Sequence, residues 1–135
     1  MQTGYFYNLT KNEIKGAISI AVGSPRYVTV DLKLKELAPT WDLLQDLRSN
    51  RIDEFEYEKR FNLQLSKLNP LEIYNKILKL ANDSEPVLMC YCKKENFCHR
   101  HLVAQWLEEN LNIKIGEYGI GDQRAYTQFP GKRRR

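Results

Sequence analysis

The residues best suited to chemistry lie in one stretch, Cys90-Tyr-Cys-Lys-Lys-Glu-Asn-Phe-Cys-His-Arg-His101, which gathers three thiols, two imidazoles, two lysines and an arginine. If a helix begins after Phe97, Cys98 falls at or just before its first turn. There, unpaired backbone N–H groups and the positive end of the helix dipole favour an anion. The dipole is worth roughly 0.3–2 kcal/mol, enough to lower a thiol pKa by about one unit. With His99, Arg100 and Lys93 or Lys94 close by, Cys98 is a candidate thiolate nucleophile and His99 a candidate acid–base group. The same arrangement also makes an anion receptor without a covalent step, Arg100 forking onto a phosphate or carboxylate while helix N–H groups take its other oxygens. The receptor ranks first. The plain structural alternative is a small buried cysteine followed by a solvated first turn.

Zinc competes for the same residues, because Cys-x-Cys-x5-Cys with His99 or His101 offers four ligands within twelve residues. Zinc sites usually begin with Cys-x2-Cys at a tight turn, however, whereas Cys90 and Cys92 sit two apart on a strand. No metal or other cofactor is therefore assigned. Cys90 is read as core filler. A phosphatase-type loop is set aside, since seven residues without a glycine separate Cys92 from Arg100.

Periodicity supplies the elements that hold this stretch. Pro86 to Cys92 is a continuous apolar run and predicts a buried strand; Leu102, Val103, Trp106, Leu107 and Leu111 form the apolar stripe of a helix over 101–111. Ala17 to Val22, stopped by Gly23-Ser-Pro25, predicts an earlier core strand. Tyr27 to Leu34 reads as an edge strand or extended loop, and Ile113 to Tyr118 as a short last strand.

Three helices are expected between the two best strands. The first follows Thr40, with Trp41, Leu43, Leu44 and Leu47 inward. The second starts near Asp53. The third has Asn69 as cap, Pro70 at its first position and Glu72 at its third. Strands separated by helices imply a single α/β domain with an open, mostly parallel sheet and flanking helices. Ligands of such sheets gather at the carboxyl ends of strands, where the cysteine stretch falls.

Val87-Leu-Met-Cys-Tyr-Cys92 followed by Phe97-Cys-His-Arg-His-Leu-Val-Ala-Gln-Trp-Leu-Glu108 resembles the signature of the domain of unknown function 488 family. Gly4-Tyr5-Phe6, the Ile18-Ser-Ile-Ala-x-Gly-x-Pro25 stretch, Leu37-Ala-Pro-Thr40 and, more loosely, Glu58-x-Arg60-Phe61 match its short members. The resemblance implies a compact α/β domain of bacteria, archaea or phages with no agreed activity. It places Cys90, Cys98, His99 and Arg100 on the motif. Position 92 is often acidic in relatives, which makes Cys92 a polar wall of the same pocket and weakens a three-cysteine zinc site. Ser19, Ser24 and Arg26, near family landmarks at the end of the first core strand, are expected to face that pocket as ligand-binding residues.

Composition bounds the rest. The formal charge of +4 is carried by Lys132, Arg133, Arg134 and Arg135, so the body sums to 4 − 4 = 0. Residues 1–118 are read as the domain and 119–135 as a flexible, polar, basic segment. In that segment Arg124, Tyr126 and Phe129, with the four terminal cations, form a candidate single-strand nucleic-acid contact. No run approaches the ~18 apolar residues of a membrane span, and the N-terminus lacks a secretory pattern. The chain is expected in the cytoplasm, away from membranes. Its expected ligand carries phosphate, as a nucleotide or nucleic acid. The alternative is a non-catalytic accessory that binds nucleic acid or protein through its surface and basic tail.

Overall fold

Alternation along one strand sets the architecture. In β4 (Val87–Cys90) every residue is buried. Val87 and Met89 join an apolar cluster with Phe6 and Ala17, while Leu88 joins a larger one built from helices. Both faces of this strand are therefore covered, as its unbroken apolar run requires. The structure is a computed structural model and describes residues 1–91 and 97–119.

Among the described residues, five parallel strands make one sheet in the order β3-β2-β4-β1-β5, namely β1 (Gln2–Tyr5), β2 (Ala17–Ser19), β3 (Leu32–Lys33), β4 and β5 (Gly116–Glu117). Helices α1 (Trp41–Arg48), α2 (Glu54–Ser66) and α3 (Pro70–Ala81) connect β3 to β4, and α4 (His99–Leu111) connects β4 to β5. Residues from all four helices enter the larger cluster, around Phe61, Leu65, Ile77, Leu88 and Val103. A 3-10 turn over Phe6–Thr10 and the loops near Ile14 and Val28 cover the opposite face.

The expected α/β class is therefore what forms, with differences in detail, among them a helix α4 that starts at His99 rather than His101 and shorter strands β2 and β5. The N-terminal residues make a strand that the sequence reading left unassigned, lying between β4 and β5. Its residues Gln2-Thr-Gly-Tyr are too few and too polar to show a period. Residues 27–34 yield only the two-residue edge strand β3. Trp41, expected inward, is 60% exposed, because α1 turns on Leu43 as its buried residue.

Local signals fix where the helices start and stop. Thr40, Asp53 and Asn69 each accept a hydrogen bond from the backbone N–H three residues on, at 3.3, 2.9 and 3.1 Å. Helices α3 and α4 end on Asn82 and Asn112 in the left-handed region, φ 45° and 54°. Gly16 is required by space. A Cβ there would lie 2.0 Å from the carbonyl oxygen of Glu85, where β2 and β4 begin side by side.

Candidate functional site

Cys90 ends β4 and Cys98 precedes α4, so both thiols sit at the carboxyl edge of the sheet. Phe97 holds the chain just before Cys98 by packing edge-on against Tyr57 of α2, ring centroids 5.5 Å apart. From there the first turn of α4 goes inward, and His99, Arg100 and His101 are all buried. A solvated first turn is not what forms.

His99 is held from two sides. Its ring packs edge-on against Phe61 at 5.5 Å, and its Nε2 lies 2.5 Å from the carbonyl oxygen of Ile20, just past β2. A carbonyl only accepts, so Nε2 carries the hydrogen. Burial, with a smaller push from Arg100 and against the Ile20 hydrogen bond, takes the His99 pKa down to about 4. The imidazole is neutral near pH 7 as a consequence. Its Nδ1 then presents a lone pair, 3.8 Å from Cys98 Sγ.

Arg100 is completely buried. Its Nη2 and Nε donate to the two carboxylate oxygens of Glu117 on β5, at 3.0 and 3.4 Å, and its Nη1 donates to Cys90 Sγ at 3.1 Å. Thr3 on β1 donates its hydroxyl to the same carboxylate at 2.6 Å. Burial alone would pull the Arg100 pKa down, but the thiols of Cys90 and Cys98 and the Glu117 carboxylate outweigh it and hold it up. This guanidinium is thus a fixed charge beneath the site, with its fork filled by Glu117. The sequence reading gave it the task of gripping an anion; three of its donors are directed to protein atoms instead.

Between these groups lies a cavity of about 70 Å³ lined by Cys90, Cys98, His99, Tyr91, Leu44 and Arg48, with Gly23 and its neighbours at the end of β2. Arg48, exposed at the end of α1, is the cation that lines this cavity among the described residues. The end of β2 and the start of α4 do converge, as the sequence placed them. The individual predicted residues divide. Ser19 is buried with its Oγ turned to its own chain, accepting from the Ala21 N–H at 3.4 Å. Ser24 is exposed, takes a hydrogen bond from Lys33, and like exposed Arg26 does not line the cavity. Cys92, Lys93, Lys94, Arg124, Tyr126, Phe129, Lys132, Arg133, Arg134 and Arg135 lie outside the described residues.

Sequence reasoning missed Glu117, Thr3 and Arg48 and read Cys90 as packing. Glu117 left little signal, an acid in the short run Ile113-Lys-Ile-Gly-Glu-Tyr118, which also holds a charge at Lys114. Thr3 and Arg48 left none, because only the folded chain brings residues 3, 90, 100 and 117 together and sets Arg48 at the cavity beside Cys90.

The fold and site define a parallel α/β domain with two thiols and a neutral imidazole at the carboxyl edge of its sheet. A family model described as the active DUF488-N3 subclade, DUF488-N3a, matches residues 11–111, and the chain belongs to this family. Searches of curated proteins and of solved structures give no match. Among the described residues no helix is long and apolar enough to cross a membrane.

Proposed function

We propose that the cavity at the end of β4 is a thiol-chemistry site for a phosphate-bearing ligand, a nucleotide or a nucleic-acid phosphate, with Cys90 as its activated sulfur. The observation that carries this reading is the 3.1 Å donation from Arg100 Nη1 to Cys90 Sγ. A buried guanidinium beside a sulfur favours thiolate over thiol, because the ionised form gains the charge-assisted bond. Glu117 and Thr3 hold that guanidinium in place.

Cys98 as nucleophile or His99 as acid–base group is the reading from sequence; the geometry supports Cys90 better. Burial holds the His99 pKa down to about 4, which makes its imidazole a weak base toward a thiol. Cys98 serves instead as a neighbouring thiol, with its proton directed toward His99 Nδ1. The ligand's charge is met by Arg48 at the cavity rim and by the start of α4.

The test is the ultraviolet absorbance of thiolate, titrated against pH in reduced, chelator-treated protein. A step well below the usual thiol value of about 8.5 is expected in the parent chain and in Cys98→Ser, and lost in Cys90→Ser. Loss in Cys98→Ser instead moves the role to Cys98, and no low step in any of the three proteins removes the thiol reading. Inorganic phosphate or a nucleoside monophosphate should slow alkylation of the site, and Arg48→Ala should weaken that protection.

A further inference from the structure

We propose that Cys90, Cys98 and His99 form a binding site for a soft divalent cation, zinc being the biological candidate, which caps the sulfur used by the thiol chemistry. The capping role rests on the thiol reading above; the binding itself does not.

Three observations converge on this site. One ligand atom from each of the three side chains lies within 4.8 Å of the others, all three residues being buried. Zinc–sulfur bonds of about 2.3 Å in a tetrahedral site put two sulfurs about 3.8 Å apart, so a rotamer adjustment of an ångström or less closes the set. The imidazole is prepared for the task. Its Nε2–H is bound to the Ile20 carbonyl and its ring braced on Phe61, which leaves Nδ1 on the cysteine side. Metal-bound histidines are oriented by this kind of outer hydrogen bond.

Charge supplies the third observation. Arg100 and Glu117 balance one another at 3.0 Å. With both thiols ionised, the buried set of Cys90, Cys98, Arg100 and Glu117 sums to a formal charge of −2, which a divalent cation cancels. Binding releases to solvent whatever protons the two thiols still carry, and Arg100 keeps its N–H on the metal-bound Cys90 sulfur. Three protein ligands leave a fourth position open, which suits a removable cation.

The probe is cobalt(II), added to reduced, chelator-stripped full-length protein, followed by displacement with zinc. Expected are thiolate-to-cobalt charge-transfer bands, intense visible bands of tetrahedral cobalt, and zinc displacement at one ion per chain. Cys90→Ser, Cys98→Ser and His99→Gln should each weaken zinc binding by at least about tenfold. Zinc should block alkylation of Cys90, and chelator should restore it.

Absence of charge transfer and of zinc retention in the parent protein overturns the proposal, whatever the variants do. So do unchanged spectra in folded Cys90→Ser and Cys98→Ser. A low-pH thiolate step without zinc binding defeats this inference alone. Zinc binding without that step upholds the site and defeats the thiol reading.

Discussion

At the start of α3, Asn69 accepts from the Glu72 N–H at 3.1 Å, Pro70 takes the first helical position, and Asn69, Leu71 and Glu72 are exposed. Four consecutive residues complete that turn in water. At the start of α4, Cys98 makes no side-chain cap hydrogen bond, and the next three residues are a buried histidine, arginine and histidine. Their partners come from far along the chain, namely Ile20, Cys90 and Glu117, the last anchored by Thr3. The first start is built for stability at small cost. The second removes a full charge from water and holds it beside a sulfur, an arrangement that hydrophobic residues of similar volume would often match or exceed in stability.

The contrast can be broken at Glu117. Glu117→Ala leaves Arg100 charged and buried without its carboxylate, and should cost about 3–5 kcal/mol in urea unfolding. A loss under about 1 kcal/mol would show that the α4 start tolerates a lone charge and that the two starts differ less than their geometry implies.

His99 gives the next largest effect, in metal-free protein. Folding holds its pKa at about 4, whereas the unfolded imidazole takes a proton near pH 6.5. Between these values the unfolded chain binds more protons, so stability is fully present above about pH 6.5 and falls as pH drops toward 4, by roughly 3 kcal/mol for this group. Urea midpoints measured across that window should show the slope, and His99→Gln should flatten it. An equal slope in the variant would place the acid sensitivity elsewhere.

Thr3→Val keeps shape and removes one of the donors to the Glu117 carboxylate. It should cost about 1–2 kcal/mol, and a neutral result would mean that Arg100 alone satisfies Glu117. The smallest effect belongs to the other start. Asn69→Ala should lose about 1 kcal/mol of stability while leaving the thiolate titration unchanged. A shift in that titration would couple the two helix starts, and the contrast between them would fail.

Exposed ion pairs belong with α3 in this comparison. Hydrogen bonding to Lys76 lowers the Glu36 pKa, but both side chains are well exposed, and solvent screens such pairs. The pair joins α3 to the segment before α1 without sensing the cavity.

Much of this was legible in the residues themselves. Caps at Thr40, Asp53 and Asn69, the apolar run at Val87–Cys90 and the stripe of Leu102, Val103 and Leu107 are local features, and local features survive in a sequence. So did the strand-to-helix junction that carries the cysteine stretch, the kind of place where parallel sheets gather ligands. The partners of the site residues are not local features. From Cys98-His-Arg in order, a thiol nucleophile or an acid–base imidazole beside an anion grip is a natural reading, and nothing local contradicts it.

Tertiary structure decided which sulfur receives the arginine. Cys90 and Arg100 lie ten positions apart and meet because β4 and α4 fold back on one another; Glu117 reaches Arg100 because α4 carries the chain over β1 to the sheet's edge. Burial then set the protonation of His99, through desolvation that no residue carries in its own identity. Types, spacing and helix starts follow from short-range sterics and hydrogen bonding, so the sequence alone determined the strand-to-helix junction and its supply of thiols, imidazoles and cation. Charge states and partnerships depend on distance through the folded molecule and on exclusion of water, and only the assembled sheet and its helices fixed those.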